Sequence, residues 1–145
     1  MPNGFTLVEV MTVSTVITIL SMIAMSAYLQ WNARYQLRQA TEEVAGNLKL
    51  VRMAAMSRGT NVGMTLALVA GKVNLSTGGV FPPITLSEGV VGVTPVTVNF
   101  SQLGLRAGGG AGNQLIQLTS TKGTVYSVVI TPSGKINWCR NASCP

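Results

Sequence analysis

From Val10 to Ala33 the chain carries no Lys, Arg, Asp or Glu. Val, Ile, Leu, Met and Ala run on, broken only by small polar residues such as Ser14, Thr15, Thr18, Ser21 and Ser26. As a helix this stretch measures about 36 Å, longer than the roughly 30 Å hydrocarbon core of a bilayer. Tyr28 and Trp31 stand at its far end, where amphipathic aromatic rings favour the headgroup level. The pattern predicts one membrane-spanning helix. Beyond it, from Arg34 to Arg58, apolar residues return at spacings of four and seven: Leu37, Ala40, Val44, Ala45, Leu48, Val51 and Ala55. Arg38, Glu42, Lys49 and Arg52 fall on another side, which reads as the solvated one, with Arg38 and Glu42 four apart as a helix pair. No Pro interrupts residues 3–81, and Gly59 follows a basic last turn, so a single helix of about 50 residues ending at Arg58 is expected.

After Gly59 the period changes. Val62 to Val69 and Lys72 to Ser76 flank Ala70-Gly71 as a hairpin. Val90 to Phe100 reads as one longer strand that Pro95 confines to a sheet edge. Gly108, Gly109, Gly110 and Gly112 form a flexible loop with no Lys-Ser/Thr after it, which argues against a phosphate cradle. Asn113 to Ser120 and Thr124 to Thr131 pair around Lys122-Gly123, and Pro132-Ser133-Gly134 turns into Lys135 to Cys139. The expected fold class is α+β: a long amino-terminal helix, its second half packed on an antiparallel β-sheet domain.

Composition narrows the chemistry. Hydrophobic residues make up 47% against 10% charged, and the mean hydropathy is +0.40. There is no His and no Asp, and the four acidic residues are Glu9, Glu42, Glu43 and Glu88. Ser-His-Asp and Cys-His sites, imidazole-bound zinc and EF-hand loops cannot be assembled from this set. Glu42 and Glu43 are sequence neighbours that diverge by about 100° on a helix, too far for paired-carboxylate chemistry. No enzyme, cofactor or metal is expected. Cys139 and Cys144 close the chain as a C-x4-C pair, two ligands short of a zinc site. A disulfide loop formed in an oxidising compartment is the preferred reading, with two free thiols as the alternative.

Glu9 is the residue composition leaves unexplained. A carboxylate inside a membrane helix costs about 2.5–3.5 kcal/mol at mid-bilayer. It needs either a hydrated interface or a partner, and its own helix supplies no Lys or Arg nearby. An ordinary secretory signal is the competing account, but it would require a basic front and a cleavage site after a shorter apolar core.

The string Gly4-Phe5-Thr6-Leu7-Val8-Glu9, followed by the long apolar run, resembles the amino-terminal signature of type IV pilins and pseudopilins. The resemblance implies cleavage by a prepilin peptidase between Gly4 and Phe5, N-methylation of Phe5, and an assembly role for Glu9. In that role Glu9 pairs with the Phe5 ammonium of a neighbouring subunit through the amino-terminal helix. The chain further resembles the GspH/FimT-like branch in Ala54-Ala55-Met56-Ser57-Arg58-Gly59 with Arg52, in Val98 to Gly104, and in Val128 to Ile136. It departs from the family in three places. Residues 1–3 carry no basic residue, so Arg34 and Arg38 taken alone favour the opposite membrane orientation. Ser26 occupies the place of a helix proline, and the acidic loop of calcium-binding relatives is missing. The resemblance thus implies a leader at residues 1–4, a transmembrane helix at 5–33, an amphipathic continuation at 34–58 and a periplasmic β domain at 59–145. It implies an inner-membrane, single-pass protein that joins or primes a type IV pilus or a type II secretion pseudopilus. The alternative is a DNA-binding subunit for DNA uptake. Ten basic residues against three acidic ones beyond the apolar helix would attract phosphates without sequence preference. A basic string of DNA-binding relatives maps to Gly134-Lys135-Ile136-Asn137, with Arg140 and Trp138 beside it, so Lys135, Trp138 and Arg140 are the candidate DNA-binding residues.

Overall fold

The computed structural model describes residues 6–86, 89–108 and 110–144. Its first element is a helix, α1, from Leu7 to Arg58. The chain divides into two units, one ending at Asn32 and one beginning at Ala33. In the first, the side chains of α1 are exposed from Leu7 to Trp31, and an 18-residue window reaches a mean hydropathy of 2.0. Every serine and threonine hydroxyl of α1 there donates back to a carbonyl one turn earlier: Thr12 to Glu9, Ser14 and Thr15 to Met11, Thr18 to Ser14, Ser21 to Ile17 and Ser26 to Ile23, at 2.8–3.1 Å. A helix that must satisfy all its polar groups without water is served by this arrangement.

In the second unit the same helix presents its apolar stripe to two antiparallel sheets. Nine strands are present among the described residues: β1 (Val62–Val69), β2 (Lys72–Ser76), β3 (Ile84–Thr85), β4 (Val90–Val93), β5 (Val96–Phe100), β6 (Arg106–Ala107), β7 (Gln114–Ser120), β8 (Val125–Ile130) and β9 (Ile136–Cys139). One sheet runs in the order β3-β2-β1-β5-β6 and the other β4-β7-β8-β9. Leu37, Ala40, Val44, Leu48, Val51 and Ala55 of α1 are at most 1% exposed. They share one core with Met64, Leu66, Val98 and Phe100 from the first sheet and Ile116, Leu118, Tyr126, Val128 and Ile130 from the second. Alternate residues of the longer strands β1, β2, β5, β7 and β8 enter this core, as the two-residue period of a half-buried strand requires. Thr41, also fully buried, satisfies its hydroxyl on the Leu37 carbonyl at 2.7 Å.

Three sequence expectations are corrected. The segment from Val90 to Phe100 is two strands, because Thr94-Pro95 breaks the ladder and the chain changes sheet there. β4 is an edge strand, but β5 lies inside its sheet between β1 and β6. Arg52 is not on a purely solvated side: it is half-buried and donates from Nε to the Gly104 carbonyl at 2.8 Å. The glycine loop is organised by Arg106, whose Nη2 donates to the carbonyls of Gly110 and Gly112 at 2.6 and 2.5 Å.

Candidate functional site

At the start of α1, Thr6 acts as the helix cap. The Glu9 amide donates to the Thr6 hydroxyl at 3.3 Å and to its carbonyl at 3.0 Å. Thr6-Leu7-Val8-Glu9 has the spacing of a capping box, in which a hydroxyl residue precedes a Glu by three. That motif was readable in the sequence and assigns Glu9 a second, purely local reason to be acidic. The position also places the carboxylate in the first turn, where the partial positive charge of the helix terminus favours an anion. Glu9 is exposed, and among the described residues no cation stands within ion-pair distance of it. It borders a shallow groove of about 310 Å³ with Val10, Val13, Ser14 and Ile17. Gly4 and Phe5, where cleavage and methylation are expected, lie outside the described residues.

The second candidate region surrounds β9. Cys139 and Cys144 form a disulfide with their Cα atoms 5.8 Å apart. The tail between them folds back across the sheet: the Ser127 hydroxyl donates to the Asn141 carbonyl, and Gln117 Nε2 to that of Ala142, both at 2.7 Å. Register explains why the tail lands there. Cys139, Ser127 and Gln117 are consecutive partners across β9, β8 and β7, so their side chains project from the same face. Trp138 projects from the other face and is half-buried. Its ring stacks on Tyr126 with centroids 6.1 Å apart, and the Arg38 guanidinium lies 5.8 Å from its centroid. Glu42 accepts from Arg38 Nε at 2.9 Å and holds the guanidinium pKa above its ordinary value, through the hydrogen bond first and charge second. Lys135 and Arg140 are exposed, one immediately before β9 and one immediately after it. Trp138 and the disulfide therefore lie on opposite faces of β9, while Lys135 and Arg140 bracket them from the two strand ends.

Sequence reasoning missed Lys49 as part of this region. Lys49, Ile136, Asn137, Trp138, Cys139 and Cys144 line a groove of about 460 Å³. The signal was present: positions eleven apart on a helix differ by only about 20°, so Arg38 and Lys49 share a flank, with Arg52 less than one turn on. β9 lies along this flank, taking Arg38 at Trp138 and Lys49 at the groove. At the far end, Arg52 meets two stacked turns. In each a glycine with positive φ, Gly104 at 72° and Gly134 at 78°, donates to the carbonyl three residues earlier, Ser101 and Thr131 respectively. A side chain at Gly134 would overlap the Gly104 carbonyl oxygen and crowd Arg52 Nε. The strings from Val98 to Gly104 and from Val128 to Ile136, far apart in sequence, thus converge on one arginine.

Comparison with known proteins adds two findings. Residues 2–25 match the family model of the prokaryotic N-terminal methylation motif. The fold is similar to that of the type IV minor pilin FimU of Pseudomonas aeruginosa in two crystal forms. The first gives a TM-score of 0.57 at 14% identity over 77% of this chain and 94% of FimU. The second gives 0.56 at 14% identity over 75% and 97%. No curated protein sequence matches the chain significantly.

Proposed function

We propose that this type IV pilin-like chain, with a methylation motif at its front and a minor-pilin fold behind it, is a non-enzymatic minor subunit of a type IV pilus or related pseudopilus. In this reading the apolar half of α1 anchors it in the inner membrane and the β domain faces the periplasm. A prepilin peptidase cuts between Gly4 and Phe5, and methylation of Phe5 follows. The observation that carries the reading is the pairing of an uncharged, membrane-length helix with one acidic residue, Glu9, in its first turn.

The chemistry of assembly follows from that pairing. After cleavage the Phe5 amine is a cation beside the helix start, and Glu9 is an anion one turn in. Each is costly in lipid, and each can be neutralised by the opposite group of an adjoining subunit. Burial of the apolar helix against other pilin helices then removes both charges from the membrane together. The test is direct. Mass spectrometry of the membrane-extracted protein is expected to show N-methylated Phe5 as the first residue. Glu9→Val should be processed and inserted yet fail to enter sheared filaments. Recovery of intact Met1, or normal incorporation of the Val variant, would refute the reading.

The DNA-binding reading is the weaker one. It asks Trp138 to stack on bases, whereas that ring already stacks on Tyr126 and carries Arg38 over it. Its remaining support is the exposed pair Lys135 and Arg140. A shift assay on the full chain at about 50 mM salt, where counterion release is most favourable, discriminates: absence of binding leaves the subunit role alone.

A further inference from the structure

The four-stranded sheet has two edges, and they are not equivalent. β4 carries a register shift between Val90 and Gly92 and packs against β1 and β2 of the other sheet. β9 has β8 on one side and, among the described residues, no strand on the other. Its free main-chain groups can be assigned from the register. The Thr131 amide donates to the Lys135 carbonyl at 3.0 Å, so that pair is hydrogen-bonded. Alternation along an antiparallel ladder makes Val129–Asn137 and Ser127–Cys139 the next hydrogen-bonded pairs. The amides and carbonyls of Ile136 and Trp138 therefore point away from β8, toward the side on which no strand pairs. The groove of about 460 Å³ beside Lys49 is lined by these same residues.

We infer that this groove is a socket for an extended acidic segment donated by the globular domain of a different pilin-like subunit, which adds to β9 as an antiparallel or parallel strand. The main-chain groups of Ile136 and Trp138 supply the strand bonds, as in β-augmentation generally. Charge selects the occupant. Lys49 lines the groove, Lys135 and Arg140 flank β9 in sequence, and Glu42, seven residues before Lys49 on the helix, is already engaged by Arg38. A second copy of this chain is the poorer fit, because among the described residues none of its strands contains Asp or Glu. The inference rests on the pilin reading and adds to it a polar contact between globular domains, separate from the packing of the helices.

The test uses the full-length chain in its own cells, with a photo-crosslinking phenylalanine analogue installed at exposed Asn137, which lines the groove. Expected is an adduct on a strand-forming, acidic stretch of another subunit's globular domain. Its yield should fall at least about tenfold in Lys49→Glu, where like charges meet, and persist in Lys49→Arg. Lys49 is exposed, so the unfolding midpoint of both variants should match the wild type, which separates lost docking from lost folding. Adducts to DNA, to a helical segment or to a second copy of the chain would overturn the inference. So would the absence of any adduct from a chain recovered in filaments, with the pilin reading left standing. A chain that never enters filaments removes both.

Discussion

Gly134→Ala isolates the junction of helix and turns better than any core truncation. The perturbation has two parts. Gly134 has φ of 78°, and placing an L residue in that left-handed region costs about 1–2 kcal/mol. The added methyl would also overlap the Gly104 carbonyl oxygen, which is the acceptor for Arg52 Nε. Backbone cannot swing aside as a side-chain tip can, so one of the two turns must move. The charge-assisted bond from Arg52, worth about 1.5–3 kcal/mol, is then weakened or lost. The sum is about 2.5–5 kcal/mol. Gly123→Ala is the matched control: its φ is 76°, and a Cβ there would meet nothing within 4 Å. It should lose only the conformational part.

Urea unfolding of the two variants and the parent in the same detergent micelles, followed by tryptophan fluorescence, measures the difference. Gly134→Ala is expected to fall at least about 1.5 kcal/mol below Gly123→Ala, or roughly 6 °C in thermal midpoint for a domain of this size. If the two variants unfold within about 0.5 kcal/mol of each other, the contact between the stacked turns carries no stability and the reasoning fails.

Two further outcomes follow from the packing. Leu48→Ala truncates a fully buried side chain between the sheets and should cost about 2–5 kcal/mol by the same unfolding assay. Replacing Cys139 and Cys144 together by Ser opens a short loop and should cost about 2 kcal/mol in the chain-entropy account. Because the tail covers Ser127, hydrogen exchange should quicken across β8 and β9 in that variant and leave β1 and β2 unchanged.

The helix, its buried stripe and both long hairpins could be read from the sequence because each rests on local rules: apolar spacing of four and seven, two-residue alternation, and a glycine at each turn. The division into two sheets could not. Pro95 marked a weak point in the ladder, but whether the chain then continues in its sheet or crosses to another depends on contacts far along the chain. The two-residue strands Ile84–Thr85 and Arg106–Ala107 were invisible because they are too short to show a period. Around the candidate sites, Glu9 stood out through its cost in lipid, and the disulfide through its spacing. Lys49 and Arg52 looked like surface charges, since a helix pattern reveals which residues share a flank but not what lies along it.

That flank gives the sharpest separation of folding from assembly. Lys49 and Arg52 are three residues apart, both basic and both on the side along which β9 lies, yet the structure gives them different work. Arg52 donates from Nε, an atom partway along its side chain, to the Gly104 carbonyl, with Gly134 packed against the same group. Lysine keeps the charge but has no donor at that position, and its compact ammonium cannot reproduce the planar fork. Arg52→Lys should therefore lower stability by about 1.5–3 kcal/mol, nearly as much as Arg52→Ala. Lys49→Ala, at an exposed position, should stay within about 0.5 kcal/mol of the parent. Incorporation into filaments should follow the opposite order once folding is accounted for: at a temperature where all three variants are folded, Lys49→Ala is the one that fails. If Arg52→Lys unfolds at the same urea concentration as the parent, charge alone holds the turns to the helix, and the geometry assigned to Arg52 is wrong.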